Sequence, residues 1–149
     1  LFVKMPLLAA VWSVTTVIIP LVDQNIDPAS PFVIQQTVCR FIFVFILYIP
    51  FEIRDMEIDK SENIKTIPSV FGVGRTKISG ALLVALEIII HHLMPVSTLA
   101  IYALDLSSLI ALAYIFVRVQ DRESYFYKLF VDGTMILRFI FLYFAYSMI

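Results

Sequence analysis

Asp55 and Asp59 stand four residues apart in a strip of acids and bases, Glu52-Ile53-Arg54-Asp55-Met56-Glu57-Ile58-Asp59-Lys60-Ser61-Glu62-Asn63-Ile64-Lys65-Thr66-Ile67-Pro68, inside an otherwise oily chain. Four residues is about one helical turn, so both carboxylates fall on one face, where two acids can share a divalent cation. Glu52 and Glu62 extend the row at spacings of three, so Glu52, Asp55, Asp59 and Glu62 share that face while Glu57 points elsewhere. Such a row repels itself unless water or a cation sits among the acids. Hard oxygen ligands with room for water suit Mg²⁺, which is often completed by substrate phosphates. Lys60, Lys65, Arg75 and Lys77 could offer positive charge to the same phosphates. A metal-bound diphosphate beside a greasy cavity suits an isoprenyl diphosphate, whose leaving pyrophosphate the metal would stabilise. The plainer reading is a solvated loop in which these acids and bases cancel.

The elements that must position the strip are apolar helices. The chain has 149 residues, 60% of them hydrophobic, against roughly 45–50% in a soluble domain. Its mean hydropathy is +0.92. Five apolar segments can be drawn, at about 6–22, 32–51, 78–94, 97–117 and 129–149. Each approaches the ~20 residues a helix needs to cross ~30 Å of hydrocarbon. Spanning by helix is favoured because every backbone polar group is paired internally, and the runs lack the alternation of a transmembrane barrel. The expected fold is therefore all-α: a polytopic membrane bundle of about five transmembrane helices, one domain over 1–149, with a motif loop at 52–77. Pro28, Pro31, Pro50, Pro68 and Pro95 are expected at segment ends, where they cost no interior hydrogen bond.

Loop charge orients this bundle. The stretches 23–31 and 91–95 hold no Lys or Arg, whereas Lys4, Arg54, Lys60, Lys65, Arg75, Lys77, Arg118, Arg122 and Lys128 all fall on one side of a five-crossing arrangement. The positive-inside rule makes that side, and the acidic strip with it, cytoplasmic. A net charge of −1 gives no bulk attraction to nucleic acid. The single cysteine, Cys39, lies in an apolar run and excludes an intramolecular disulfide. The chain opens on Leu1 without a signal-peptide pattern, and an N-terminally truncated fragment is expected.

Four ionisable residues fall within the spans. Arg40 and Asp105 lie at similar depth from one side, Glu87 and Arg138 from the other, so Arg40–Asp105 and Glu87–Arg138 pairs are expected. Such pairs either bolt helices together or form the polar wall of a cavity. Asp132 is expected to cap the last helix, after an aromatic belt at Tyr125-Phe126-Tyr127. His91 and His92, which do not share a face, are expected to mark the outer boundary.

The strip resembles the second aspartate-rich motif of the UbiA superfamily of intramembrane prenyltransferases. The family pattern is close to Arg-Asp-x-Glu-Gly-Asp, a short spacer, Lys-Thr-hydrophobic-Pro, and a hydrophobic-Gly pair. Arg54-Asp55-Met56-Glu57-Ile58-Asp59, Lys65-Thr66-Ile67-Pro68, Phe71-Gly72 and Arg75-Thr76 follow it, with Ile58 where Gly is usual and Asn63 where a second Gly is usual. Asn accepts the left-handed backbone region and can preserve that turn. The resemblance implies nine helices around a lipid-facing cavity, of which five with one motif form the C-terminal part. By it, Asp55 and Asp59 hold Mg²⁺. By it too, Arg54, Lys60, Lys65 and Lys4 would contact the diphosphate; from the charge pattern, Glu52, Glu62, Arg40, Asp105 and Asp132 are candidates to support the metal site or line the cavity. The substrates implied are a prenyl diphosphate and a lipophilic acceptor, in a bilayer such as the bacterial inner membrane. Nothing in 1–22 resembles the family's first motif, so the missing N-terminal helices are expected to carry it, and this chain alone is expected to be inactive. A non-catalytic member of the same architecture, and a small transporter subunit using Arg40, Asp105 and Glu87, are the competing readings.

Overall fold

The computed structural model describes residues 4–116, 129 and 132–148. Helix α1 (Lys4–Ser13) runs through a π-helical turn (Val14–Ile18) into α2 (Ile19–Asp23), giving one apolar rod of 20 residues. The cause of the widened turn is local. Pro20 brings no N–H and crowds the carbonyl four residues back, while Thr15 and Thr16 hydroxyls bond back to the carbonyls of Val11 and Trp12 at 2.9 and 2.6 Å.

Helix α3 (Pro31–Ser61) starts with Ser30 as N-cap, its hydroxyl accepting from Val33 N–H, and with Pro31 in the first turn, where a missing N–H costs nothing. Its 31 residues make a rod of about 46 Å, well beyond the ~30 Å of hydrocarbon. Pro50 does not end this helix, contrary to the expectation from sequence; it lies inside, and the rod continues for eleven more residues. Buried Ile46, Leu47, Ile49, Ile53 and Met56 hold both sides of the proline against the bundle, so packing overrides the lost backbone bond. The first ten residues of the expected motif loop are therefore helix.

A short α4 (Ile67–Phe71) follows, then α5 (Val73–His92), α6 (Thr98–Phe116) and α7 (Gly133–Ser147). Helix α3 packs against α1, α5 and α6, and α6 against α5 and α7. The core gathers Phe43, Ile46, Leu47 and Ile49 of α3 with Val84 of α5 and Ala111 and Ile115 of α6. One face of α6 is a buried row of small residues, Ala100, Ala103, Ser107, Ser108 and Ala111, which lets helix axes approach closely. Among the described residues three helices are long and apolar enough to cross a membrane: 4–23, 31–61 and 98–116. Helix α5 carries Arg75, Lys77 and Glu87, and the described part of α7 is 15 residues long. The expected basic loop 118–128 and the aromatics Tyr125 to Tyr127 lie outside the described residues.

Gly80 marks the tightest approach. A Cβ there would stand 2.7 Å from Ile115 Cδ1 and 2.9 Å from Ile49 Cδ1. Those are flexible side-chain ends, so Gly80→Ala should be near neutral. Gly80→Leu must push α5 off both neighbours and should cost about 1–3 kcal/mol, read as a lower midpoint of thermal unfolding in detergent.

Candidate functional site

The strip occupies the far end of α3 and the turn that follows. Glu52 and Asp59 are buried, Asp55 is half-buried, and Glu62 is exposed at the C-cap. The expected single face thus splits by depth: Glu52 and Asp59 turn inward, and Glu62 lies past the last helical residue. Glu52 and Asp59 make no hydrogen bond or ion pair among the described residues. The charges acting on Glu52 are Lys4, which favours its ionised form, and Asp59 and Asp55, which oppose it. Lys4 and three of the candidate acids therefore gather at one end of the bundle.

Arg54 is held by its neighbour: its Nε donates to Asp55 Oδ1 at 2.6 Å and its Nη2 to Asp55 Oδ2 at 3.0 Å. It also lies 5.2 Å from the centre of the Phe51 ring. Lys60 reaches back to exposed Glu57 at 3.3 Å, and Lys65 is exposed in the turn. Ile58, which stands where the family has Gly, is 61% exposed and points away from the buried acids.

Asn63 ends α3 with φ of 58°, in the left-handed region that Asn tolerates. This lets Ile64 N–H reach back to the Asp59 carbonyl at 2.8 Å, closing the helix end. The chain then starts α4 with Thr66 as N-cap and Pro68 in its first turn. Ser69 Oγ accepts from Thr66 N–H at 2.8 Å, and the Thr66 side chain faces Ser69 N–H in return, as in a capping box, but Thr66 Oγ1 is buried and makes no full hydrogen bond among the described residues. A buried hydroxyl without a partner costs roughly 1–3 kcal/mol. Beside this turn, Ile67, Phe71 and Arg75 join Met5, Phe45 and Ile49 around a mostly apolar cleft of about 450 Å³.

A second polar cluster lies between the helices. Arg138 Nη1 donates to Glu87 Oε1 at 2.8 Å, forming the Glu87–Arg138 pair expected from depth. Ser108 Oγ donates to Glu87 Oε2 at 2.9 Å. The Arg138 guanidinium also lies 4.0 Å from the centre of the Phe43 ring, tying α7 to α3 as well as α5. The Arg40–Asp105 pair does not form. Asp105 instead accepts from His91 Nδ1 at 2.9 Å, and His92 Nδ1 lies 3.7 Å from it. His91 is wholly buried, at the C-terminal end of α5. With the ring proton assigned to Nδ1, its Nε2 accepts from Arg138 Nη2 at 3.2 Å. Sequence reading missed His91 because its burial follows from the rotation of α5. The retrievable signal was its spacing of four from Glu87. Asp132 precedes α7 but makes no side-chain cap.

Among the described residues no group of three or more His, Cys, Asp or Glu converges as a metal site. His91 shows why for this cluster, since Glu87 and Asp105 address opposite ring nitrogens. The strip offers two carboxylates one turn apart. Comparison with protein-family models, curated proteins and solved structures gives no match to this chain.

Proposed function

We propose that this chain is part of an intramembrane prenyltransferase of the UbiA type, moving an isoprenyl group from a prenyl diphosphate to a lipophilic acceptor with Mg²⁺. The observation that carries the reading is the Thr66 hydroxyl in the Lys-Thr-x-Pro turn, buried and with no acceptor for its proton among the described residues; the turn adjoins an apolar cleft and follows a helix end bearing Glu52 and Asp59, both buried and without a partner among the described residues. A buried polar atom left without a partner is what a ligand oxygen would satisfy. Two carboxylates with room for water suit Mg²⁺ where substrate phosphates complete its shell. Asp55 and Asp59 are the residues that would hold it. When bound, the metal supplies Lewis-acid stabilisation of the departing pyrophosphate.

The chain's own groups do the rest. Thr66 Oγ1 donates to a phosphate oxygen. Lys4, Lys60, Lys65 and Arg75 supply positive charge around it, and Arg54 either neutralises Asp55 or releases it to the cation. The cleft lined by Phe45, Ile49, Ile67 and Phe71 takes apolar chain and keeps water from the reacting carbon. In this reading α5 and α7 complete five crossings, and the clustering of Lys and Arg at the strip end makes that face cytoplasmic. The first aspartate motif comes from helices outside this sequence.

Binding of a non-hydrolysable prenyl diphosphate analogue tests the proposal. Affinity should fall at least about tenfold when EDTA replaces Mg²⁺. Thr66→Val should weaken binding by about tenfold through the lost charge-assisted hydrogen bond. The same change should leave stability unchanged, or raise it by about 1 kcal/mol, because it deletes an unsatisfied hydroxyl. Binding indifferent to the metal and to Thr66 would overturn the reading.

A further inference from the structure

Arg40 is the remaining intramembrane charge. It lies on α3 about 13 Å in from the Pro31 end, and it makes no hydrogen bond or ion pair among the described residues. Among the described residues the charges close enough to act on it are Arg138 and Glu87, and Glu87 is already bound to Arg138. Two guanidinium groups therefore face one carboxylate, and the local excess is positive. Asp132 does not redress it. It lines the same cleft but acts on Tyr48, two helical turns and about 12 Å along α3 from Arg40.

Arg40 borders a cleft of about 650 Å³ between α1, α3 and α7, whose walls include Trp12, Val44, Met135, Ile136 and Phe139. Thr16, in the π-helical turn, lies at the same cleft. The volume is that of a small-molecule site, and the lining is apolar with a few polar groups, as such sites are. A guanidinium at membrane depth is costly unless paired, and its planar fork matches a carboxylate bidentately. A phosphate carries more charge and is dearer to bring to that depth.

We propose that this cleft binds an amphiphilic carboxylic acid of the fatty-acid type, its carboxylate on Arg40 and its chain along α3 toward Tyr48. The site is separate from the diphosphate strip and does not depend on prenyl transfer. Trp12, the only tryptophan in the chain, lines the cleft and reports occupancy. Titration of the chain in detergent with dibrominated stearate should quench Trp12 saturably, at a midpoint at least about tenfold below that of the matching brominated alcohol. Arg40→Gln should shift the stearate midpoint up by about tenfold, and Arg40→Lys by less. Equal quenching by the alcohol, stronger quenching by the matching alkyl phosphate, or an unchanged midpoint in Arg40→Gln would overturn the assignment. If Arg40→Gln fails to fold, the comparison of acid with alcohol on the unmodified chain decides alone.

Discussion

Arg138→Leu should destabilise the bundle by about 3–5 kcal/mol, the cost of leaving a buried carboxylate without its counter-charge. Arg138 donates to Glu87 at 2.8 Å and to His91 at 3.2 Å, and it lies over the Phe43 ring. Its loss strands groups on α5 and removes a contact to α3 in one step. Glu87 then keeps the Ser108 hydroxyl at 2.9 Å as its hydrogen-bond donor among the described residues. Adding Glu87→Gln to Arg138→Leu should recover much of the loss, because a neutral amide is far cheaper to bury than a lone carboxylate. A double-mutant cycle on detergent unfolding measures that coupling directly. A single-mutant loss below about 1 kcal/mol would show that the pair is solvated like a surface bridge.

On the proposed function, Asp55→Asn and Asp59→Asn should each lower Mg²⁺-dependent prenyl transfer in the whole protein by at least about 100-fold. Replacing a group that merely supports a metal ligand already costs 10–100-fold, and a ligand should cost more. The two positions are not equivalent. Asp55 is already paired with Arg54 through two hydrogen bonds, whereas Asp59 is buried and has no partner among the described residues. Removing the Asp55 charge also weakens its hold on Arg54, so Asp55→Asn should partly preserve binding of the diphosphate while losing turnover. Asp59→Asn removes an uncompensated buried charge, so it should not lower stability. Transfer assays at several Mg²⁺ concentrations, paired with melting curves, check both statements. Unchanged turnover in both variants would remove the metal assignment.

Much of the helical framework was legible in the residues themselves. Long apolar runs must satisfy their backbone internally, so the segments at about 6–22, 32–51 and 97–117 fold as helices. Asn63 could be read as a helix-end residue because few side chains enter the left-handed region at low cost. The helix-compatible Asp-x-x-x-Asp spacing put two carboxylates a turn apart, and that followed from 3.6 residues per turn. Glu87 and Arg138 were pairable from depth alone.

Depth gives only the position along a helix axis; which residues meet also depends on the rotation of each helix, set by packing of whole faces. That is why Asp105, level with Arg40, turned to His91 instead, and why His91 is buried while adjacent His92, about 100° around the helix, is exposed. Pro50 likewise looked like an end in one dimension and is an interior residue in three. That the Thr66 hydroxyl and the Arg40 guanidinium find no partner among the described residues follows from which neighbours packing supplies, which no string of residues records. Sequence alone determined an apolar helical chain with a charged strip at one helix end. Tertiary structure decided which of its described polar groups are spent on holding helices together and which are left without a partner, because only packing fixes what stands within hydrogen-bonding reach.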